Sequence, residues 1–330
     1  MFSTHVLDLD LEQETKRITD ALSRFTSGLK KKGLVVGVSG GIDSSTSVAL
    51  AARALGPQRV MGLLMPEQDS SSTSLELGRA VCESVGIPYE VEVLSPILAA
   101  AGCYHRRDEA IRQVFPEYDE TYKQKIVIPG LEERERITFF SVVIQSPQGE
   151  VKKARLPLKA YLQIVAATNF KQRTRKMMEY YHADRLNYAV IGTPNRLEYD
   201  QGFFVKGGDG LADIKPIAHL YKTQVYALAR HLGLPENVCS SVPTTDTYSL
   251  EQGQDEFYFA LPYDKMDLML YALNHGVPAA EAGAPLGLSE AQVNWVYKDI
   301  QAKRRTTRYL QLPPILVAEV PEIGHTLEEG

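Results

Sequence analysis

The sequence predicts an α/β protein in which helices cover both faces of a doubly wound parallel sheet. Two apolar runs, "LVVGV" from residue 34 and "VMGLLM" from residue 60, have the near-continuous hydrophobicity of strands that are buried on both faces. Each run precedes a segment with helical spacing of its apolar residues, and a Ser-Gly-Gly turn separates the first run from its helix. Strands that alternate with helices in this way form parallel sheets, whose ligands bind at the carboxyl ends of the strands.

The first hundred residues show this alternation in its clearest form. The apolar spacing predicts a helix at 11–25, a strand at 34–38, a helix at 44–55, a strand at 60–64, a helix at 73–85 and a strand at 89–94. Since the order is βαβαβ after the first helix, the turn at the end of the first strand is where chemistry is expected.

The alternation is interrupted after Gly102. Residues 103–156 are interpreted as a β-containing insert, because a helical stretch and an irregular one are followed by two strands around a Pro-Gln-Gly turn. The α/β pattern then returns with a helix at 157–181, a strand at 188–191, and helices at 221–232, 263–275 and 289–305. Residues 1–330 are therefore expected to form a single domain that carries the insert.

Composition excludes several classes of protein. The 330 residues are 44% hydrophobic and 23% charged, with a formal net charge of −5, which fits an ordinary globular chain and not a nucleic-acid-binding surface. The three cysteines lie far apart and form no metal pair or disulfide framework. The N-terminal residues lack the pattern of a secretory leader, and no run of 18 apolar residues occurs. We expect a cytoplasmic protein without a membrane segment.

The turn "SGGIDSS" after the first strand has the features of a phosphate loop. Glycines at a helix start allow close approach to backbone N–H groups, which bind phosphate oxygens. Asp43 would repel a phosphate unless a cation bridges the two, so its presence predicts Mg²⁺. The alternative is that Asp43 or Ser44 only caps the helix. The loop is neither a Walker A sequence nor a GxGxxG dinucleotide fingerprint.

The same loop resembles the pyrophosphate loop of the ATP-pyrophosphatase (N-type) superfamily. In the second half of the chain, "TNFKQRTRKM", "VIGTPNRLEYDQGFFVKGGDGLADIKPI", "LYKTQVYALARHLGLP", "VPTTDTY" and "GQDEFYFALPYDKMDLML" resemble, in order, the signature blocks of the NAD synthetase family. The similarity covers roughly 13–102 and 157–305. It implies an adenine nucleotide alpha hydrolase-like fold and an ATP-dependent ligase that amidates deamido-NAD (nicotinic acid adenine dinucleotide) with ammonia through an acyl-adenylate.

The resemblance also implies roles for single residues. The triphosphate of ATP is placed on Ser39, Gly41 and Ser44. Further nucleotide contacts are implied for Met65, Arg173, Thr193 and Thr244, with Arg173 preferred to Arg175 because charges two apart on a helix point in different directions.

Metal and substrate contacts are implied in the same way. Asp43 and Glu198 are the expected magnesium ligands, although a surface charge is the simple alternative for Glu198. Lys206 is expected near the phosphates and the reacting carboxylate, and it is the second expected catalytic residue beside Asp43. Asp209 and Asp213 are expected on the dinucleotide side.

The resemblance also implies partners, and the sequence departs from the family pattern in one loop. The resemblance implies a homodimer, and because only 33 residues precede the first predicted strand, free ammonia or a separate glutaminase is the expected nitrogen source. The loop "GQDEF" is one residue shorter than is usual in the family, and "FALPY" lacks a usual glycine. Two alternatives therefore stay open: an adenylate-forming amide ligase for another carboxylate, and a non-catalytic nucleotide-binding protein.

Overall fold

The main sheet has four parallel strands, in agreement with the predicted fold class. The computed structural model describes residues 2–128, 140–241, 247–250, 253, 258–259, 261–318 and 320–322. The strands of the main sheet, with the order β3-β2-β1-β7, are β1 (Leu34–Gly37), β2 (Val60–Leu64), β3 (Tyr89–Val91) and β7 (Ala189–Ile191). Leu34 is paired with Val60 on one side and with Ala189 on the other.

The helices follow the predicted order with shifted ends. They are α1 (Leu11–Gly28), α2 (Ile42–Leu55), α3 (Ser72–Val85), α4 (Ser95–Ala100), α5 (Cys103–Arg112), α6 (Leu158–Leu186), α7 (Arg196–Gln201), α8 (Lys222–His231), α9 (Glu236–Cys239), α10 (Tyr263–Asn274), α11 (Ala279–Gly283) and α12 (Glu290–Gln311). The short helices α4, α7, α9 and α11 were not predicted, since a segment of four to six residues carries too little periodicity to be recognised. Among the described residues, no helix has both the length and the apolar character needed to span a membrane.

Helices cover both faces of the sheet, as the apolar strands require. Leu34 and Val36 of β1 point to one face and pack in a core that includes Ile18 of α1. Val35 points to the other face and packs with Ala183 of α6. Because successive side chains of a strand alternate between faces, two buried faces need the continuous apolar run that the sequence shows.

The path of the chain fixes the position of the site. From β1 the chain builds outward to β2 and β3, and it later returns to place β7 on the other side of β1. This reversal makes the carboxyl ends of β1 and β7 a topological switch point, where ligands of open α/β sheets bind.

The segment 103–156 contains α5 and a separate antiparallel sheet, so its predicted β content is confirmed. The sheet has the order β4-β5-β6, with β4 at Lys123–Val127, β5 at Ser141–Gln145 and β6 at Val151–Arg155. Strands β5 and β6 are the predicted hairpin. Strand β4 was not predicted, because its inward-facing residues are Gln124 and Ile126, and a buried glutamine obscures the apolar alternation.

Candidate active site

A cavity of about 610 Å³ opens at the carboxyl ends of β1, β2 and β7. Its volume lies within the range of small-molecule sites. The predicted residues that line it are Ser39, Gly41, Asp43, Ser44, Met65, Arg173, Thr193, Glu198, Lys206 and Asp209. These residues come from five separate stretches of the sequence, so the fold brings the sequence candidates to one place.

The phosphate loop connects β1 to α2 and is held by its own hydroxyl groups. Ser44 Oγ donates to Gly41 O at 3.0 Å and accepts from Ser39 N at 3.2 Å. Gly40 has φ +82°, and a Cβ there would lie 2.7 Å from Leu77 Cβ. No side chain caps α2, because its N-cap residue is Gly41 and makes no side-chain hydrogen bond. The capping alternative for Asp43 and Ser44 is thus absent, and the first-turn N–H groups of α2 have no side-chain cap.

Asp43 and Glu198 form a pair of carboxylates at the switch point. Asn195, which is 1% exposed, links them: its side-chain amide donates to Asp43 Oδ1 at 3.2 Å, and its backbone N–H donates to Glu198 Oε2 at 3.1 Å. Asn195 also accepts from the N–H groups of Leu197 and Glu198, which completes a capping box at the start of α7. The simple alternative of a solvated surface charge does not describe Glu198.

The charge of this pair is partly balanced by Lys222. The buried Lys222 Nζ donates to Asp43 Oδ2. Burial raises the pKa of Glu198 to about 8, and the negative charge of Asp43 contributes in the same direction. Burial alone would lower the pKa of Lys222, but the charges of Asp43 and Glu198 outweigh it and raise that pKa. A second negative charge beside Asp43 is therefore disfavoured, although Lys222 offsets part of that effect.

The donor chemistry of the pair fits a hard divalent cation. Carboxylate oxygens are the ligands that Mg²⁺ prefers in proteins, usually one or two of them together with substrate phosphates and water. The pair lies beside the phosphate loop in the same cavity, and burial together with the charge of Asp43 disfavours the ionised form of Glu198, which a cation there would favour. The oxygens of Asp43 and Glu198 thus fit a hard divalent cation such as Mg²⁺.

One face of α6 forms a further wall of the cavity, and it adds Lys176 and Glu179, which the sequence analysis missed, to the two arginines that it named. Arg173, Arg175, Lys176 and Glu179 all line the cavity. Lys176 Nζ donates to Glu179 Oε2 at 2.5 Å, and burial raises the pKa of Glu179 against the influence of Lys176. Both arginines line the cavity, although their spacing of two positions on the helix predicted that only one of them would face it. Lys176 was recognisable three residues after Arg173, since such positions share a helix face.

Lys206 lies at the far side of the cavity, against the end of α12. Its Nζ donates to Tyr309 O at 2.7 Å and lies 5.5 Å from the centre of the Tyr309 ring. Carbonyl groups in the last turn of a helix have no intrahelical partner, so they hold the ammonium. Asp209 accepts from Val205 N at 2.7 Å, and burial raises the pKa of Asp209.

One predicted residue is absent from the described lining of the cavity, and another lies outside the described residues. Asp213 does not line the cavity: its carboxylate accepts from Val190 N at 2.7 Å and from Tyr180 Oη at 3.2 Å, which ties the chain after the glycine-rich loop to β7. Its expected contact with the dinucleotide substrate stays a prediction. Thr244 lies outside the described residues.

The insert reaches the cavity through an aromatic side chain. Phe140 lines the wall and stacks on Tyr161 of α6, with ring centres 4.0 Å apart and an interplanar angle of 16°. The buried Tyr248 lines the same part of the wall. The insert thus contributes directly to the cavity, at the opposite end of the α6 face from Lys176.

Comparison with known proteins agrees with these features. The NAD synthase family model matches residues 14–136 and 135–308. An NH(3)-dependent NAD(+) synthetase from Rhizobium meliloti (strain 1021) is 58% identical over 323 residues, which is 98% of this chain and 97% of the relative. One from Thermotoga maritima is 35% identical over 243 residues, 73% of this chain and 80% of the relative.

Solved structures share the fold. The NH3-dependent NAD synthetase from Campylobacter jejuni subsp. jejuni NCTC 11168 has a TM-score of 0.62 at 22% identity, and the alignment covers 94% of this chain and 100% of that one. An NMN synthetase from Francisella tularensis has a TM-score of 0.60 at 20% identity, with 94% and 99% covered. The fold is thus of the adenine nucleotide alpha hydrolase-like type. Because the family model and close relatives match nearly the whole length, the chain belongs to the NAD synthase family.

Proposed function

We propose that this protein amidates deamido-NAD with ammonia and forms NAD, AMP and pyrophosphate from ATP. It is an ATP-dependent carbon–nitrogen ligase. The observation that carries the proposal is that the phosphate loop, the Asp43–Glu198 pair and the cationic face of α6 line one cavity. Relatives with up to 58% identity over nearly the whole chain are NH(3)-dependent NAD(+) synthetases, which supports ammonia as the nitrogen donor.

In the first step, a carboxylate oxygen of deamido-NAD attacks the α-phosphorus of ATP and pyrophosphate leaves. Two anions must approach each other, so the step depends on positive charge and on positioning. Arg173, Arg175 and Lys176 on α6, together with Lys206, supply cations around the cavity. The loop at Ser39–Ser44 offers backbone N–H groups to the departing pyrophosphate, and Ser39 and Ser44 offer hydroxyls that exchange their mutual contact of 3.1 Å for phosphate oxygens.

Asp43 and Glu198 would hold Mg²⁺, which when bound neutralises phosphate charge as pyrophosphate forms. Lys222 keeps Asp43 in place, because its ammonium and the Asn195 amide each donate to a different oxygen of that carboxylate. Asn195 in turn orients Glu198 through the capping box of α7.

In the second step, the nitrogen of ammonia attacks the acyl carbon of the adenylate. The bond between that carbon and the AMP oxygen breaks, a proton leaves the nitrogen, and the amide of NAD remains. A carboxylate needs this activation because its oxygen is a poor leaving group. The cavity walls near Phe140, Tyr161 and Tyr248 are aromatic and would keep water from the adenylate.

Location, assembly, domain content and nitrogen source also belong to the proposal. The protein is a cytoplasmic homodimer built from one NAD-synthetase-like domain, and ammonia comes from solution or from a separate glutaminase. Exposed apolar residues along α6 support a dimer, since Leu158 is 71%, Leu162 55%, Met177 53% and Tyr181 57% exposed, and such a stripe on one helix is typical of an interface.

The test is a balanced assay. Protein is mixed with ATP, Mg²⁺, ammonium and deamido-NAD, and the yields of AMP, pyrophosphate and NAD are measured together. We expect equal yields of all three, and we expect Asp43→Asn and Lys206→Ala each to slow turnover ~10²-fold or more with the fold intact, because each removes a charge that acts on the reacting phosphates.

A parallel reaction with nicotinic acid mononucleotide separates the alternatives, since an NMN synthetase shares the fold and the fold alone does not fix the acid. Release of AMP with the mononucleotide but not with deamido-NAD would mean that the mononucleotide, and not deamido-NAD, is the substrate. If the protein binds ATP but releases no pyrophosphate from it in the presence of either acid, the protein is non-catalytic.

A further inference from the structure

A second hollow, of about 590 Å³, is lined by residues of α7, of α12 and of the segment 215–219. Its described lining shares no residue with the cavity. We call it the basic hollow, because the charged and titratable side chains that line it are Arg196, Lys215, His219, Arg304, Arg308 and Asp200. Four of these side chains are permanent or near-permanent cations, and one is a carboxylate.

The single carboxylate of this lining does not balance the cations. Asp200 is fully engaged by Arg304, whose Nε and Nη2 donate to its two oxygens at 2.6 Å each. His219 has its own partner outside the hollow, since its Nε2 lies 2.7 Å from Glu14 Oε1. The charges of Arg196, Lys215 and Arg308 therefore have no carboxylate partner among the described residues.

Arg196 and Lys215 are held in place without being neutralised. The Arg196 guanidinium lies 5.1 Å from the centre of the Tyr221 ring, and its Nε is buried with no hydrogen-bond partner among the described residues. Lys215 Nζ donates to the neutral Gly210 O at 2.7 Å. Burial lowers the pKa of Lys215, and the charge of Lys176 lowers it further. A buried donor without a partner is costly, and so are like charges that face one hollow.

We propose that the basic hollow binds the phosphate groups of a small ligand, separately from the active site. Phosphate oxygens would balance the charges of Arg196, Lys215 and Arg308, and a guanidinium fork matches the geometry of phosphate. The volume accommodates pyrophosphate or a mononucleotide. Carboxylate ligands fit less well, because one negative charge does not compensate three cations.

Isothermal titration calorimetry tests the proposal. The active cavity is first saturated with a non-hydrolysable ATP analogue and Mg²⁺, and inorganic pyrophosphate or AMP is then titrated. We expect one additional equivalent to bind, with affinity that falls as NaCl is raised, because the contacts are ionic. Arg196→Gln and Arg308→Gln should each weaken this second binding ~10-fold or more and leave binding of the ATP analogue unchanged.

Arg305→Gln is the matched control, since Arg305 is an exposed arginine of α12 that does not line the hollow. Circular dichroism confirms that each variant is folded, and the exposed Arg308 keeps the test valid if Arg196→Gln does not fold. Binding of pyrophosphate alone assigns the hollow to free phosphates, and binding of AMP assigns it to nucleotides. Affinity that is the same in wild type, Arg308→Gln and Arg305→Gln, or no second equivalent with either ligand, would overturn the proposal.

Discussion

Lys171 offers the sharpest test of how the walls of the cavity are held together. This lysine of α6 is 0% exposed. Its Nζ donates to Glu67 Oε1 at 2.9 Å, to Asp69 Oδ2 at 2.6 Å and to Thr247 O at 2.7 Å. All three ammonium protons are thus used, and they join the loop after β2 to the backbone at Thr247.

Lys171→Met removes the charge and keeps most of the volume. Glu67 then retains the Tyr104 hydroxyl, which donates at 2.8 Å, and Asp69 retains Arg107. Removing one partner of a buried ion pair leaves an uncompensated charge and costs roughly 3–5 kcal/mol. This is a large part of the about 5–15 kcal/mol by which a protein is typically stable, so the midpoint of urea unfolding should fall clearly.

The assay is urea unfolding of wild type, Lys171→Met, Glu67→Gln and the double variant. Glu67→Gln removes the charge that Lys171 faces, so the double variant should recover part of the loss, with a coupling free energy of ~1–3 kcal/mol. Lys159→Met, at an exposed position of the same helix, should change the free energy of unfolding by less than about 0.5 kcal/mol. A loss below ~1 kcal/mol for Lys171→Met, or additive single effects, would refute the reasoning.

Three further predictions concern the loop, the insert and a buried carboxylate. Gly40→Ala should raise the KM for ATP ~10-fold or more, because a Cβ at φ +82° would meet Leu77 and the left-handed conformation itself costs ~1–2 kcal/mol; an unchanged KM would mean that the loop does not hold the nucleotide. Phe140→Ala should raise the KM for deamido-NAD ~3- to 10-fold with little change in kcat, because it removes one aromatic stack. Kinetics equal to those of wild type would mean that the insert has only a structural role. Burial raises the pKa of Asp267 to about 7 from 3.8, so this carboxyl favours the unfolded state increasingly as pH rises from about 4 to 7, by up to about 4 kcal/mol. The stability of wild type relative to Asp267→Asn should decline over that window and level off above it, and urea unfolding at several pH values measures the difference; a constant difference would contradict the assigned pKa.

The ends of elements show what local sequence could and could not predict. The helix α6 was expected to end at residue 181 and continues to Leu186, where Asn187 adopts the left-handed conformation that terminates helices. Asparagine in that position was a readable signal. Strand β4, in contrast, owes its existence to pairing with β5, and its buried Gln124 gave no apolar pattern to read.

The site shows the same division between local and distant signals. The phosphate loop could be recognised from seven consecutive residues, because its glycines, hydroxyls and Asp43 act within one turn. Asn195 follows Asp43 by 152 positions in the sequence, and Lys222 follows it by 179. No local pattern therefore encodes the hydrogen bonds that they donate to Asp43. The capping-box spacing of Asn195 and Glu198 was visible, but not its contact with Asp43.

The sequence by itself determined the βαβ order, the phosphate loop and the family, because each follows from short-range periodicity or from consecutive motif residues. Tertiary structure alone decided which charges meet: it turned Asp213 toward β7, paired Lys222 with Asp43 and held Lys206 on the end of α12. It also left Arg196 without a carboxylate partner among the described residues. The physical reason is that backbone conformation responds to neighbouring residues, whereas the pairing of charges depends on the return of β7 beside β1, which only the packed sheet sets.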